Sequence, residues 1–176
     1  ELPKSIAVIG GGYSGCEFAS ILNVLGCKVW LIEAEEMLMP DNPQEIGKTL
    51  EKYMRIDGIT VLTNSKVEKI TDKGILVNGQ NIDVEKILVC VGRKPNIGSD
   101  EMKKLGIEFS GKGIDVNKKM LTSVSNIYAI GDITGKYQLA HVASKQGEVA
   151  AHNITGHDSE MDYSVIPFCV FTFPEV

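Results

Sequence analysis

The stretch VIGGGYSGCEFAS, Val8 to Ser20, constrains this chain most, because Gly10, Gly12 and Gly15 stand between an apolar run and a helical pattern. Ser5 to Ile9 reads as a buried strand. From Tyr13 to Leu25 the residues Cys16, Phe18, Ala19, Leu22 and Leu25 recur at helical spacing as far as Gly26. Lys28 to Ala34, KVWLIEA, reads as a second strand and closes a right-handed βαβ unit of about 30 residues. A G-x-G-x-x-G spacing alone is weak evidence in a chain with 18 glycines, and a simple glycine-rich turn is the plain alternative. In a dinucleotide loop each glycine has its own work. Gly10 makes the tight turn, Gly12 lets the backbone approach a pyrophosphate, and Gly15 lets the helix pack closely. The free N–H groups of the helix start then face the phosphates. Glu33, 18 residues after Gly15 at the end of the second strand, separates the two readings. A carboxylate there accepts ribose hydroxyls and repels a 2′-phosphate, so NAD(H) is expected rather than NADP(H). Glu17 is read on the first turn of the helix, where it serves either the macrodipole or the nucleotide.

Beyond this unit, Asn42, Pro43 and Glu45 predict a helix start with Asn42 as the cap, followed by an apolar stripe of Ile46, Leu50, Tyr53 and Met54. After Gly58 come several short β-like runs, with Asn78-Gly79 as a tight hairpin turn. Lys86 to Gly92, KILVCVG, is apolar on both faces and predicts a central strand. The character changes at Arg93-Lys94-Pro95-Asn96. A short helix is expected near Asp100 to Leu105, a glycine-rich turn at SGKGIDVN, a buried strand at NIYAIGD, and a helix from Leu139 to Thr155 closed by Gly156. The final SVIPFCVFTFPEV alternates like a β-run.

Composition narrows the function. The net charge of −5, with 18 scattered Lys and Arg, argues against nucleic acid. No apolar stretch approaches the roughly 20 residues that span a bilayer, and ELPKSIAVIG lacks a signal-peptide pattern. A soluble, cytoplasmic protein is expected, or a mitochondrial matrix protein if the source is eukaryotic. Cys16, Cys27, Cys90 and Cys169 show neither C-x-x-C nor metal-ligand spacing, so reduced buried thiols are expected and no metal.

With GGGYSGCEFAS, VCVGRKPN, NIYAIGDITG, LAHVASKQGEVAAHNI and FTFPEV in this order, the chain resembles the pyridine nucleotide-disulphide oxidoreductases, and among them most the dihydrolipoyl dehydrogenases. The resemblance implies an α/β, Rossmann-like FAD/NAD(P)-binding fold: a βαβ core with a three-stranded β-meander, plus a partial second FAD-binding segment. It implies an NAD-binding domain over 1–95, a returning segment of the FAD-binding domain over 96–157, and the start of a dimerisation domain over 158–176. Carried over by position, NAD contacts fall on Gly10, Gly11, Gly12, Tyr13, Ser14, Gly15, Cys16 and Glu17, on Glu33 at the ribose, on Val67 near adenine, and on Gly92. For Gly92 a simple strand terminator is the alternative.

FAD contacts fall on Asp132, at the ribityl chain, and on Gln138, Leu139, Ala140 and His141, at a helix start facing the flavin ring. A turn or N-cap role is the alternative for Asp132. His141 is read as positional, and His152 and His157 as surface residues. The family's redox cysteine pair and its His/Glu base are expected outside this chain, so no catalytic residue is assigned and the isolated chain is expected to be inactive. The implied enzyme oxidises protein-bound dihydrolipoamide and passes hydride from reduced FAD to NAD+. Its implied partners are lipoyl domains of a 2-oxo acid dehydrogenase or glycine-cleavage complex, and a second copy in a homodimer. Two alternatives stand beside it: another NADH-linked disulphide reductase, and a stand-alone NAD-binding module without catalysis.

Overall fold

A computed structural model describes all residues from Glu1 to Val176. The chain divides into two compact units, one of Glu1–Gly92 with Phe168–Val176 and one of Arg93–Pro167. The first division falls three residues before Pro95.

In the first unit, β1 (Ser5–Ile9), β2 (Lys28–Ile32), β3 (Thr60–Leu62) and β7 (Lys86–Val89) form a parallel sheet in the order β3-β2-β1-β7. The meander β4 (Val67–Thr71), β5 (Gly74–Val77) and β6 (Gln80–Asp83) makes a separate antiparallel sheet. Strand alternation sorts the apolar residues onto two faces. Ile6, Val8, Val29 and Leu31 join Cys16 and Ala19 of helix α1 (Tyr13–Val24) and Leu50 and Met54 of helix α2 (Gln44–Ile56) in one core cluster. Ala7, Ile32, Ile9 and Trp30 join Ile75 and Val77 of the meander in the other. The parallel sheet is therefore covered by helices on one face and by the meander on the other.

That arrangement explains why KILVCVG looks central although β7 is an edge strand. Leu88 packs toward the helix cluster and Ile87 toward the meander, yet only β1 pairs with β7. Apolarity on both faces reports coverage by flanking layers, not a second neighbouring strand. Val89 is accordingly 56% exposed.

Asn78 and Gly79 both have positive φ, and Val77 pairs with Gln80 across the two-residue turn they form. The α2 start differs from expectation. Pro43 is the cap residue and no side chain caps the helix. Asn42 instead donates from Nδ2 to the Tyr13 hydroxyl at 3.0 Å. Within the expected stripe of α2, Leu50 and Met54 are buried, whereas Tyr53 is exposed and Gly47 fills the buried turn.

The second unit holds helix α3 (Ser99–Leu105), the hairpin β8 (Phe109–Ser110) and β9 (Gly113–Ile114), a 3-10 turn over Gly131–Thr134, and helix α4 (Ala140–Ile154). NIYAIGD forms no strand, because its one pairing is an isolated bridge between Leu121 and Tyr128. With no adjacent strand to extend that bridge, it stays a single extended connection into the 3-10 turn. The C-terminal residues also form no strand. Val170 and Val176 bond to each other in both directions, curling the tail, and Val170 is buried in the helix-side cluster of the first unit. No helix is long and apolar enough to cross a membrane.

Candidate functional site

The glycine loop is held rigidly from below. Gly10 has φ +107, and a Cβ there would collide with the Cys90 carbonyl. A Cβ on Gly15 would collide with the Gly10 carbonyl, so α1 sits against the end of β1 at a distance only glycine permits. The Gly10 N–H donates to the Ile32 carbonyl at 2.7 Å. Gly11 is fixed on both sides: its N–H donates to Glu33 Oε2 at 2.6 Å, and its carbonyl accepts the Met39 N–H at 2.8 Å. Gly12 is the contrary case. It has φ −74, and a Cβ there would meet nothing within 4 Å, so the loop opens to free space at the start of α1. No side chain caps α1, which leaves its first-turn N–H groups available to an outside acceptor.

Glu33 is 8% exposed, and its other oxygen accepts the Glu35 N–H at 2.8 Å. Each carboxylate oxygen thus carries one backbone bond and keeps a lone pair for a further donor. Cys16 is fully buried and donates from Sγ to the Gly11 carbonyl at 3.3 Å. Burial, followed by the charges of Glu33 and Glu17, pushes its thiol up to about 12. Burial also raises Cys90. Cys27 is buried as expected, but Cys90 is half-buried and Cys169 is exposed.

Tyr13, at the first position of α1, is half-buried between the Asn42 amide and the Phe168 ring, whose centroid lies 4.4 Å away. Ser14 is exposed. Glu17 is the fifth residue of α1 and not in its first turn, since the helix begins at Tyr13; its carboxylate accepts the Phe171 N–H at 3.0 Å. Val67 begins β4 and packs into the meander-side cluster with Ile32. Gly92, with φ +113 and open space around it, ends the segment after β7. Hydrogen bonds therefore unite Gly11, Cys16 and Glu33, with Gly10 tied to the adjacent Ile32, whereas Glu17 accepts a bond from the C-terminal tail. A cleft of about 260 Å³ lies at the other end of α1, between Asn23, Asp57 and Phe173, and has no part in this arrangement.

In the second unit Asp132 is exposed within the 3-10 turn. Leu139 is the cap residue of α4 and contributes no side-chain bond, so that helix start is open as well. Gln138 and Leu139 are half-buried, while Ala140, His141, His152 and His157 are exposed. Gln146 was not singled out from the sequence. It is fully buried, accepts the Gly131 N–H at 2.6 Å and donates to the Tyr163 hydroxyl at 3.0 Å. Its signal was a lone amide at helical spacing between Val142 and Val149.

The sequence pattern described as "Pyridine nucleotide-disulphide oxidoreductase" matches residues 1–147. The chain belongs to this family. It is 46% identical over 182 aligned positions to a dihydrolipoyl dehydrogenase of Chlamydia muridarum, covering 100% of this chain and 39% of the relative. It is 36% identical to that of Bacillus subtilis, covering 100% of this chain and 40% of the relative. Among solved structures, LpdA from Mycobacterium tuberculosis matches with a TM-score of 0.89 and 28% identity, over 99% of this chain and 40% of that one. The NAD-dependent persulfide reductase of A. fulgidus matches with a TM-score of 0.87 and 30% identity, over 97% and 34%. The chain thus spans about two-fifths of the length of the curated relatives it matches. Like other members of the pyridine nucleotide-disulphide oxidoreductase family, it has a Rossmann-like α/β fold.

Proposed function

We propose that this chain supplies the NAD(H)-binding part, and a segment of the FAD-binding part, of a dihydrolipoyl dehydrogenase. The observation that carries the reading is the glycine loop itself: Gly12 opens to free space at an uncapped helix start, directly beside a buried Glu33. The residues fit a dinucleotide. A pyrophosphate would lie over Gly12 and accept the first-turn N–H groups of α1, with Tyr13, Ser14 and the neighbouring loop residues around it. Glu33 would accept the adenosine ribose hydroxyls through its remaining lone pairs, and its charge would oppose a 2′-phosphate. Val67 is assigned to the adenine side and Gly92 to the far end of the cofactor, by family position.

A flavin fits the second unit in the same limited sense. Asp132 is exposed and free to accept a ribityl hydroxyl, and the uncapped α4 start at Gln138 to His141 would place positive potential beside negative charge. When bound, FAD supplies two-electron transfer from a reduced disulphide toward NAD+. The chain's own residues hold the nucleotides and set their polarity. The segment assignments 1–95, 96–157 and 158–176, the lipoyl-domain partners, the homodimer and a cytoplasmic location belong to the same reading. The identity of 46% with a dihydrolipoyl dehydrogenase supports it. The persulfide reductase at 30% identity favours a second reading, another NAD-linked member of the family; oxidation of dihydrolipoamide by the full-length protein separates the two.

Calorimetric titration with NADH and NADPH tests the cofactor assignment. NADH is expected to bind at least tenfold more tightly, because a second anion beside Glu33 costs more than about 1.4 kcal/mol. Equal or tighter binding of NADPH would overturn the assignment.

A further inference from the structure

We infer that Gln146 is a positioning residue for the flavin, an inference that rests on the FAD-binding reading of the second unit. Its side chain is the only part of α4 bonded to the segment carrying Asp132, and it makes that link through one amide. Gln146 Oε1 accepts the Gly131 N–H at 2.6 Å, and Gly131, at φ +76, is the residue immediately before Asp132. The Gly131 carbonyl accepts the Thr134 hydroxyl at 2.8 Å, so this residue is held at both of its polar groups. At 1.5 Å of rise per residue, Gln146 lies roughly 9 Å along α4 from the helix start at Ala140. Beside the short connection from Gly135 to Leu139, this hydrogen bond is the polar link that sets the spacing of the two groups assigned to the flavin, the Asp132 carboxylate and the α4 start.

The amide has a second bond that does not share this task. Nε2 donates to the Tyr163 hydroxyl at 3.0 Å, and that hydroxyl lies 3.9 Å from Met120 Sδ, within the core between α4 and the following segment. A buried amide serving stability alone would depend on both bonds alike. A positioning residue depends for ligand binding on the Gly131 bond only. This difference makes the two roles separable.

The experiment uses the full-length polypeptide that contains this sequence, stripped of flavin and titrated with FAD by fluorescence quenching. NADH affinity serves as the control for the integrity of the first unit. Q146L removes both bonds, Q146E keeps an acceptor for Gly131 and one for the Tyr163 hydroxyl, and Y163F removes only the Tyr163 bond. The FAD dissociation constant is expected to rise about tenfold or more in Q146L and to stay within about threefold in Q146E and Y163F, with NADH affinity unchanged throughout. Should Q146L fail to fold, Gln146→Met, which keeps the unbranched side-chain length but offers no strong acceptor to the Gly131 N–H, carries the same expectation. Unchanged FAD affinity in Q146L or in Q146M, or an equal loss in Q146L and Y163F, would overturn the inference. A wild-type protein that binds no FAD would instead overturn the flavin reading on which it rests.

Discussion

At the scale of single residues, the three glycines of the loop do unequal work, and the difference is measurable. Gly12 has an ordinary negative φ and empty space where a Cβ would go, so Gly12→Ala is expected to leave stability unchanged or slightly raised. On the proposed NAD(H) reading, the same methyl group would stand in the path of the pyrophosphate, so NADH affinity should fall at least tenfold. Gly15→Ala reverses the pattern, because its Cβ would overlap the Gly10 carbonyl; a loss of several kcal/mol, or failure to fold, is expected. Denaturant unfolding and calorimetry on both variants test this, and a Gly12→Ala protein with wild-type NADH affinity would remove Gly12 from the site. Cys16 gives a second prediction. Its thiol is raised from 9.0 to about 12 in the fold, so the native state holds the proton more strongly than the unfolded chain. The stability from this group is complete below about pH 9 and is lost as pH rises toward 12, of order 4 kcal/mol in all. Unfolding free energies at pH 8 and pH 10.5 should fall more steeply in the wild type than in Cys16→Ala. Parallel slopes would contradict the buried, unreactive thiol.

At the scale of elements, the parts legible in the sequence were those fixed by local chemistry. The Asn78-Gly79 turn is one: both residues take positive φ, and Asn78 also donates to Ser65 Oγ at 3.0 Å, tying the hairpin tip to the segment after β3. Gly79 has open space around it, so Gly79→Ala meets only backbone strain. A loss of about 1 kcal/mol is expected by denaturant titration, and a neutral result would mean that the turn changes type. The α1 loop and the α4 helix were legible for the same reason, since glycine spacing and apolar periodicity act within a few residues. What was not legible depended on distant partners. The apolar faces of β7 said nothing of whether a strand lay on its outer side, and NIYAIGD needed a neighbour that Leu121 supplies at one residue only. Asn42 has the chemistry of a cap, yet it spends its amide on Tyr13, 29 positions away in sequence. Gln146 was missed because its Gly131 partner lies outside its helix, although a solitary amide on an apolar stripe is the kind of residue that long-range bonding accounts for.

At the scale of the whole molecule, the chain leaves the first unit at Gly92 and returns to it at Phe168. The returning residues are few but anchored: Val170 is buried in the helix-side core, the Phe171 N–H donates to Glu17, and the Phe168 ring packs on Tyr13. The assignment of Glu17 to the nucleotide from sequence overlooked this second claim on its carboxylate, made 154 positions away. The outgoing connection is different in kind. Arg93 and Lys94 are exposed and lie in no helix or strand, and Pro95 protects the Lys94 peptide bond from trypsin. Exposed irregular backbone between compact units is where a protease acts first, so limited trypsin digestion is expected to cut after Arg93 ahead of the lysines within helices and strands. The cut would give 1–93 and 94–176, and the second piece would carry Phe168–Val176. Because that tail is built into the core of the first unit, the two pieces should elute together in native size-exclusion chromatography and separate only in denaturant. Pieces that part under native conditions would show that the tail is held weakly.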